Sequence, residues 1–305
     1  MASEAPVSIH GLTKRYGDVV ALDNLCLEVS AGEVLGYLGP NGAGKTTTLR
    51  LLLGLAVPTA GSASIFGLDV TRQTIDAHRL LAYVPGEVSL WPSLTGEETL
   101  HLLARVHGKV DTEYRDRLVR GFELDTSRRV RAYSKGNRQK LILIAAFMVR
   151  PRLLLLDEPS SGLDPLMEQV FRACVLDAKA DGQTVFLSSH LLGEVEALCD
   201  TVAILRAGRL IESGSLSQMR HLSSTIIEAT FEGSPPDVNG IEGVQAVVVA
   251  GNHLTCQVHG PIGPLLKILS DSRIVELGSR EPSLEELFLA HYGTHDAGAD
   301  ATNTA

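Results

Sequence analysis

One stretch limits what this chain can fold into more than any other: Gly39-Pro40-Asn41-Gly42-Ala43-Gly44-Lys45-Thr46. An apolar run, Val34-Leu35-Gly36-Tyr37-Leu38, precedes it, and Thr47-Thr48-Leu49-Arg50-Leu51-Leu52-Leu53 follows. The order is strand, glycine loop, helix, the context in which G-x-x-x-x-G-K-[ST] reads as a phosphate-binding loop. Glycine tolerates φ > 0, so backbone N–H groups can close around anionic oxygens, and the helix behind them adds unsatisfied N–H groups and a positive dipole end. In this reading Lys45 bridges β- and γ-phosphates and Thr46 places its hydroxyl on Mg²⁺. The chain is expected to bind a nucleoside triphosphate.

With 305 residues, the chain exceeds the usual single domain, and one large nucleotide-binding domain plus a smaller one is expected. A formal charge of −9 disfavours nucleic acid as a partner, which would draw on a basic face. The local cluster Arg128-Arg129-Val130-Arg131 reads as a solvated face or a docking patch. Cys26, Cys174, Cys199 and Cys256 show no paired spacing and read as small buried hydrophobes in a reducing cytosol. The start, Met1-Ala2-Ser3-Glu4-Ala5-Pro6, has neither the basic nor the apolar part of a secretory signal. The apolar runs Leu141–Val149 and Leu153–Leu156 fall short of the roughly 18 residues of a membrane span. A membrane connection is therefore expected to run through a partner.

Along the chain, Val7–Leu12 reads as a strand and Leu25, Leu27 and Val29 alternate as a second, with Tyr16 on the loop between. Tyr16 serves there equally as an adenine-stacking ring or as ordinary packing. Pro58-Thr59-Ala60-Gly61 is a turn, and Ala63–Phe66 and Leu80–Val84 are strands. From Ser93 to Val149 the period is helical, an insertion between halves of a sheet. Within it, Tyr133-Ser134-Lys135-Gly136-Asn137 opens an apolar helix and reads either as a cap or as a second anion-binding helix end. Leu153-Leu154-Leu155-Leu156-Asp157-Glu158-Pro159 is a buried strand ending in two adjacent carboxylates, which beside a phosphate loop can serve a metal (Asp157) and an attacking water (Glu158). Ser160-Ser161-Gly162-Leu163-Asp164-Pro165 is a tight loop, and the strand Thr184–Ser188 leads to His190.

In this order, these stretches resemble the ATP-binding subunit of an ABC transporter, over about Val7 to Ser213. Tyr16 matches the adenine-stacking aromatic and Gly39 to Thr46 the Walker A loop. Ser134 and Gly136 match the signature segment, Asp157 and Glu158 the Walker B pair, Ser161 to Asp164 the loop that crosses the dimer interface, and His190 the switch histidine. The resemblance implies an α/β fold, a P-loop ABC ATPase domain with a mixed sheet and a helical subdomain, plus a small C-terminal α+β domain. It implies ATP and Mg²⁺ as cofactors, with Glu158 and His190 catalytic and Thr46 and Asp157 on the metal. The nucleotide-binding set is Tyr16, Gly39, Pro40, Asn41, Gly42, Ala43, Gly44, Lys45, Thr46 and Thr47. Ser134, Lys135 and Gly136 would contact the partner's ATP, and Ser161, Gly162 and Asp164 form the dimer loop. The implied partners are a second ABC domain, expected as a homodimer, and a multi-span membrane permease that chooses the cargo. The implied location is the cytoplasmic face of the cell membrane, peripheral through that permease, which would dock on the helical block and the loop near Gly86.

Two positions depart from the family pattern. Tyr133-Ser134-Lys135-Gly136-Asn137 stands where leucine, serine, glycine, glycine and glutamine are usual, a lysine variant familiar in drug-exporter subunits. Gly86 stands where a glutamine usually completes Mg²⁺ coordination, and neighbouring Glu87 or a water is expected to take that contact.

The expected domains are 1–214 for the ATP-binding domain (helical subdomain about 93–150), 215–224 for a linker, 225–292 for a C-terminal accessory domain and 293–305 for a disordered tail. In the accessory domain Thr225–Phe231, Val244–Ala250, Leu254–Val258 and Ile274–Leu277 read as strands and Ile262–Leu269 as a helix. Gly251-Asn252 is a hairpin turn, and Pro282–Phe288 opens a final helix with Ser283 and Glu286 as a capping box. This domain resembles the C-terminal extension of drug- and antibiotic-exporting subunits, and dimer support is its expected role. The function implied is an ATPase powering a drug or antibiotic exporter. The alternative, a soluble ABC ATPase acting on ribosomes or nucleic acid, is disfavoured by the single phosphate loop and by the lack of long coiled coils between the Walker motifs. A non-catalytic nucleotide-binding regulator is disfavoured by Glu158.

Overall fold

Alternating apolar residues make a half-buried hairpin at the start of the chain. In β1 (Val7–Tyr16) and β2 (Val19–Val29), Val7, Ile9, Leu12, Leu22, Leu25, Leu27 and Val29 are buried, the period of a strand with one face on a core. Tyr16 ends β1, paired with Val19, so it lies on a strand and not on a loop. Cys26 points away from the buried side and is exposed, whereas Cys174, Cys199 and Cys256 are buried. That corrects the expectation that all four cysteines are buried.

The computed structural model describes residues 4–108, 110–221, 225–281 and Glu286, and the chain divides into two compact units, Met1–Gly214 and Ser215–Ala305. In the first unit the hairpin is followed by β3 (Val34–Leu38), α1 (Lys45–Leu52), β4 (Ala60–Ile65), β5 (Leu68–Asp69), α2 (Thr74–His78) and β6 (Leu81–Val84). The helical block comes next: α3 (Gly96–His107), α4 (Thr112–Gly121), a 3₁₀ turn Val130–Ala132 and α5 (Lys135–Met148). Its starts are set by local chemistry, a Thr95/Glu98 capping box on α3 and Asp111 accepting from two N–H groups on α4. The chain then returns to the sheet with β7 (Leu153–Asp157), α6 (Pro165–Ala180), β8 (Thr184–Ser189), α7 (Leu192–Leu198), β9 (Thr201–Arg206) and β10 (Arg209–Ser215).

These strands form two sheets, four-stranded β2-β1-β4-β5 and six-stranded β10-β9-β3-β8-β7-β6. The first is antiparallel throughout. In the second, β9, β3, β8, β7 and β6 pair parallel. Strands β3, β7 and β8 are buried along their whole length, as parallel strands covered on both faces must be. Leu49, Leu51 and Leu52 of α1 share one apolar cluster with Val7, Leu25 and Ile65 of the antiparallel sheet and Leu155 and Phe186 of the parallel one. The phosphate-loop helix is thus anchored on both sheets. Parallel register brings the carboxyl ends of β3, β7 and β8 side by side, with Asp157 opposite Ser188 and Leu38 opposite Ser189. Such an edge is where open α/β sheets hold their ligands.

The second unit contains α8 (Leu216–His221), β11 (Thr225–Phe231), β12 (Val244–Ala250), β13 (His253–Val258), α9 (Gly263–Ser270) and β14 (Ile274–Arg280). Its sheet, β12-β13-β11-β14, is antiparallel. Ile227, Ala229, Phe231, Leu254, Cys256 and Val258 pack against Leu265 and Leu269 of α9. The stretch 215–224, expected as a linker, contains the short helix α8, and residues 222–224 lie outside the described residues. The expected final helix, apart from Glu286, and the 293–305 tail also lie outside them. Among the described residues no helix is long and apolar enough to cross a membrane.

Candidate nucleotide-binding and hydrolysis site

The loop between β3 and α1 is shaped by close approach. A side chain at Gly39 would put its Cβ 2.5 Å from the Leu205 carbonyl oxygen, and Gly44 sits at φ 111° as the residue that starts α1. No side chain caps α1, so its first turn is presented to whatever the loop encloses. Lys45 is only 5% exposed. Its Nζ donates to the Gly39 carbonyl at 2.6 Å and to that of Pro40 at 3.3 Å, so the ammonium is held over the loop. Pro40, Asn41, Gly42, Gly44, Lys45, Thr46, Thr47 and Glu158 line one cavity. A neighbouring cavity of about 410 Å³ adds Arg50, Gly86, Glu87, Asp157 and Ser161. Ala43 lines neither and is buried beneath the loop.

The two carboxylates at the end of β7 are held differently. Asp157 is buried, with Thr46 Oγ1 donating to Oδ2 at 2.9 Å and Ser188 Oγ donating to Oδ1 at 2.5 Å. Both oxygens are satisfied, as a buried carboxylate requires. Its charge extends into the cavity: the Tyr83 hydroxyl is pushed up to about 12, by burial first and by Asp157 second. Glu158 turns out of the strand in the left-handed region, φ 49°, a strained conformation for a side chain of this kind. Its N–H is tied to the Ser188 carbonyl at 3.0 Å. The turn carries its carboxylate between Lys45 Nζ at 3.4 Å and His190 Nδ1 at 2.8 Å. A carboxylate so placed, beside a phosphate loop, can accept a proton from a water.

Thr46 and Asp157 offer the hydroxyl and carboxylate oxygens that Mg²⁺ prefers. Among the described residues no group of three or more His, Cys, Asp or Glu could hold a metal by itself. That fits an ion whose remaining ligands are phosphate oxygens and water.

The structure therefore brings Gly39–Thr47, Asp157, Glu158 and His190 together, and Ser161 joins them in the larger cavity. It does not bring in Tyr16, which is 48% exposed with Lys14 Nζ 4.8 Å from its ring centre and lines neither cavity. Ser134, Lys135 and Gly136 also line neither cavity. Ser134 starts α5 and accepts from the Asn137 N–H at 3.2 Å. Lys135 Nζ donates to Ser161 Oγ at 3.2 Å, Gly162 lies under the Lys135 stem, and Asp164 caps α6 through the N–H groups of Leu166 and Met167. Three residues the sequence reading passed over also shape the site. Ser188 fixes Asp157, Arg50 lines the larger cavity, and buried Gln139 donates to the Pro159 carbonyl at 2.8 Å. Ser188 alone left a visible signal, a polar residue ending an apolar strand.

The profile of the ABC transporter family matches residues 22–161. Nod factor export ATP-binding protein I of Rhizobium sp. (strain N33) is 32% identical over 94% of this chain and 97% of its own length. Bacitracin transport ATP-binding protein BcrA of Bacillus licheniformis is 33% identical over 92% of this chain and 95% of its own. A solved structure of an ATP-binding subunit of an ABC transporter is 34% identical, with a TM-score of 0.66 over 70% of this chain and 92% of that one. Likeness at this identity, over almost the full length of named relatives and across the loop and the acidic strand end described above, shows that the chain belongs to the ABC transporter family as an ATP-binding, ATP-hydrolysing subunit.

Proposed function

We propose that this chain powers a membrane exporter of drugs or antibiotics, two copies closing head to tail around ATP and Mg²⁺ and parting after hydrolysis. The observation that carries the reading is the convergence of Lys45 and His190 on Glu158, at 3.4 and 2.8 Å, beside the Thr46–Asp157 pair. In this reading Lys45 holds the β- and γ-phosphates, Glu158 polarises the attacking water, and His190, 2.8 Å from the Glu158 carboxylate, senses the γ-phosphate. Thr46 and Asp157 would hold Mg²⁺, with Glu87 offering a further oxygen, and the ion would supply neutralisation of phosphate charge there. Exposed Tyr16 is available to stack on adenine. Ser134, Lys135 and Gly136 grip the partner's phosphate, and Ser161, Gly162 and Asp164 cross to the partner chain.

The coupling surface is a groove of about 560 Å³ lined by Leu55, Ile75, Tyr83 and Val106, with His78, Arg79 and His107 beside them. Leu55, Ile75 and Val106 are each more than two-thirds exposed, more apolar surface than this face would carry without a partner. An amphipathic helix from a multi-span permease, with an acidic residue toward Arg79, suits its chemistry. This holds the chain at the cytoplasmic face of the membrane. The curated relatives named for bacitracin transport, daunorubicin resistance and Nod factor export support export as the direction.

The test is a pull-down of tagged Glu158→Gln protein with Mg-ATP from solubilised membranes, where blocked hydrolysis holds the closed pair. Recovery of a multi-span membrane protein in near-equal amount is expected. Recovery of ribosomes, nucleic acid or the free dimer alone replaces the exporter with a soluble ABC ATPase.

A further inference from the structure

Besides Asp157 and Glu158, a third carboxylate lies beside the turn that carries His190, and the chemistry described so far makes no use of it. Glu194, in the first turn of α7, is only 5% exposed. Ser189 Oγ donates to its Oε2 at 2.6 Å and accepts from the Leu191 N–H at 3.0 Å. The Glu194 N–H donates in turn to the Leu191 carbonyl at 3.2 Å. The chain on both sides of His190 is thus closed into a ring of hydrogen bonds that ends on one buried carboxyl. The Ser160 hydroxyl, two residues beyond Glu158, reaches the same carboxyl. Burial pushes Glu194 up from the usual carboxylate range and the Ser189 and Ser160 hydroxyls draw it back, with Glu168 and Arg172 of α6 acting in opposite senses. A carboxylate held inside by hydroxyls costs desolvation that an apolar residue of the same size would not.

The ring that these bonds bracket has little else to hold it. The His190 side chain is 48% exposed, and among the described residues it is paired with Glu158 alone, at 2.8 Å. An exposed ring with one partner takes its position from its main chain, and a catalytic contact is only as exact as what fixes that chain. The direction of the bonds matters here. An ionised carboxylate only accepts, so the Ser189 hydroxyl must donate to Glu194 and keeps its lone pairs for the Leu191 N–H. Without the carboxylate the hydroxyl is free to rotate, and the Leu191 N–H loses a fixed acceptor. We infer that Glu194 is a positioning residue for hydrolysis, acting through Ser189 to hold the main chain at His190 and so the imidazole against Glu158. The inference rests on the proposed reading in which Glu158 and His190 serve hydrolysis.

The experiment measures ATP hydrolysis by the full chain, and its affinity for a fluorescent ATP analogue, in Glu194→Ala, Glu194→Gln, Ser189→Ala, His190→Ala and the Glu194→Ala/His190→Ala pair. Glu194→Ala should lower kcat about 10- to 100-fold, the scale of a misplaced catalytic group, and leave nucleotide affinity at the wild-type value. Glu194→Gln keeps an acceptor oxygen and should restore most of the rate. Ser189→Ala should reproduce the loss in Glu194→Ala. In the His190→Ala background Glu194→Ala should cost nothing further, because both changes remove one contact. A role confined to packing would instead multiply the two losses, and that outcome overturns the inference. So does an equal loss in Glu194→Gln and Glu194→Ala, or a fall in affinity that matches the fall in kcat. Should Glu194→Ala fail to fold, Ser189→Ala, which removes one hydroxyl, carries the same cycle with His190→Ala. Wild-type rates in His190→Ala and Glu158→Gln would remove the underlying reading, whereas lowered rates there with kcat unchanged in Glu194→Ala and Ser189→Ala remove only the role of Glu194.

Discussion

Two helix N-termini of this molecule, those of α1 and α5, are proposed to meet phosphate, and they are built oppositely. At α1 no side chain caps the helix, Gly44 supplies the turn at φ 111°, and the first residue, Lys45, is buried. Around it stand the chain's own Asp157, Glu158 and His190. At α5 the start is capped by Ser134, the leading residues Ser134 and Lys135 are exposed, and the 159–162 loop lies beside them. One end is complete within a single chain, and the other has chemistry without a ligand-enclosing wall. Damage at α1 should therefore register in one isolated chain, and damage at α5 only where two chains meet.

The largest break in that contrast is Lys45→Ala. It removes the cation over the loop carbonyls and leaves Glu158 with His190 alone. Loss of a preorganised charge of this kind costs about 10²- to 10³-fold in kcat. Because the α1 end is complete in one chain, nucleotide affinity of dilute, monomeric protein should fall with it, as read by titration of a fluorescent ATP analogue. Wild-type affinity in the monomer would mean that Lys45 does not hold phosphate.

Gly136→Ala comes next and tests the other end. The new methyl group would lie 2.7 Å from the Gly162 carbonyl oxygen, so the loop carrying Ser161 must shift. A displacement of that order lowers kcat about 10- to 100-fold. Monomer nucleotide affinity should stay at the wild-type value, since α5 lines neither cavity at α1. The separation of kcat from affinity sharpens the comparison, and a parallel fall in both would merge the two ends into one site.

The α1 end was legible in sequence because its signals are local. A glycine loop after an apolar run and a carboxylate pair after another need no knowledge of the partner strand. The C-terminal strands were legible for the same reason, as short runs rich in apolar and β-branched residues, with a full alternation in β13. What escaped depends on register. Ser188 meets Asp157 because β7 and β8 align those two positions, which no window along the chain displays. Tyr16 was taken for a loop residue because irregularities between Ile9 and Arg15 break the alternation of β1, so its pattern fades before the strand ends. The ties from Gln139, Gly136 and Lys135 to the 159–162 loop join stretches 20 or more residues apart, as with the 26 positions between Lys135 and Ser161. They become visible only once α5 is seated.

The smallest effect is expected at Glu87, and it bears on whether the α1 end is complete. Gly86 stands where the family pattern calls for a glutamine, and a Cβ there would lie 3.4 Å from the Asp157 carbonyl oxygen and 3.7 Å from Oδ2. The position is adjacent to the carboxylate expected to hold Mg²⁺, yet it carries no side chain to reach the ion. Glu87 lines the same cavity as Thr46 and Asp157, and a carboxylate is the ligand a hard cation prefers. Glu87→Ala should raise the Mg²⁺ concentration for half-maximal hydrolysis about 10-fold and leave kcat at saturating Mg²⁺ near the wild-type value, since Lys45 and Glu158 are untouched. Broadening of the Mn²⁺ resonance on binding with ATP gives the same shift without turnover. Glu87→Gln should fall between the two, keeping an oxygen and losing the charge. An unchanged metal requirement in Glu87→Ala assigns the last coordination position to water, and then the α1 end closes around its ion with only Thr46 and Asp157 from the protein.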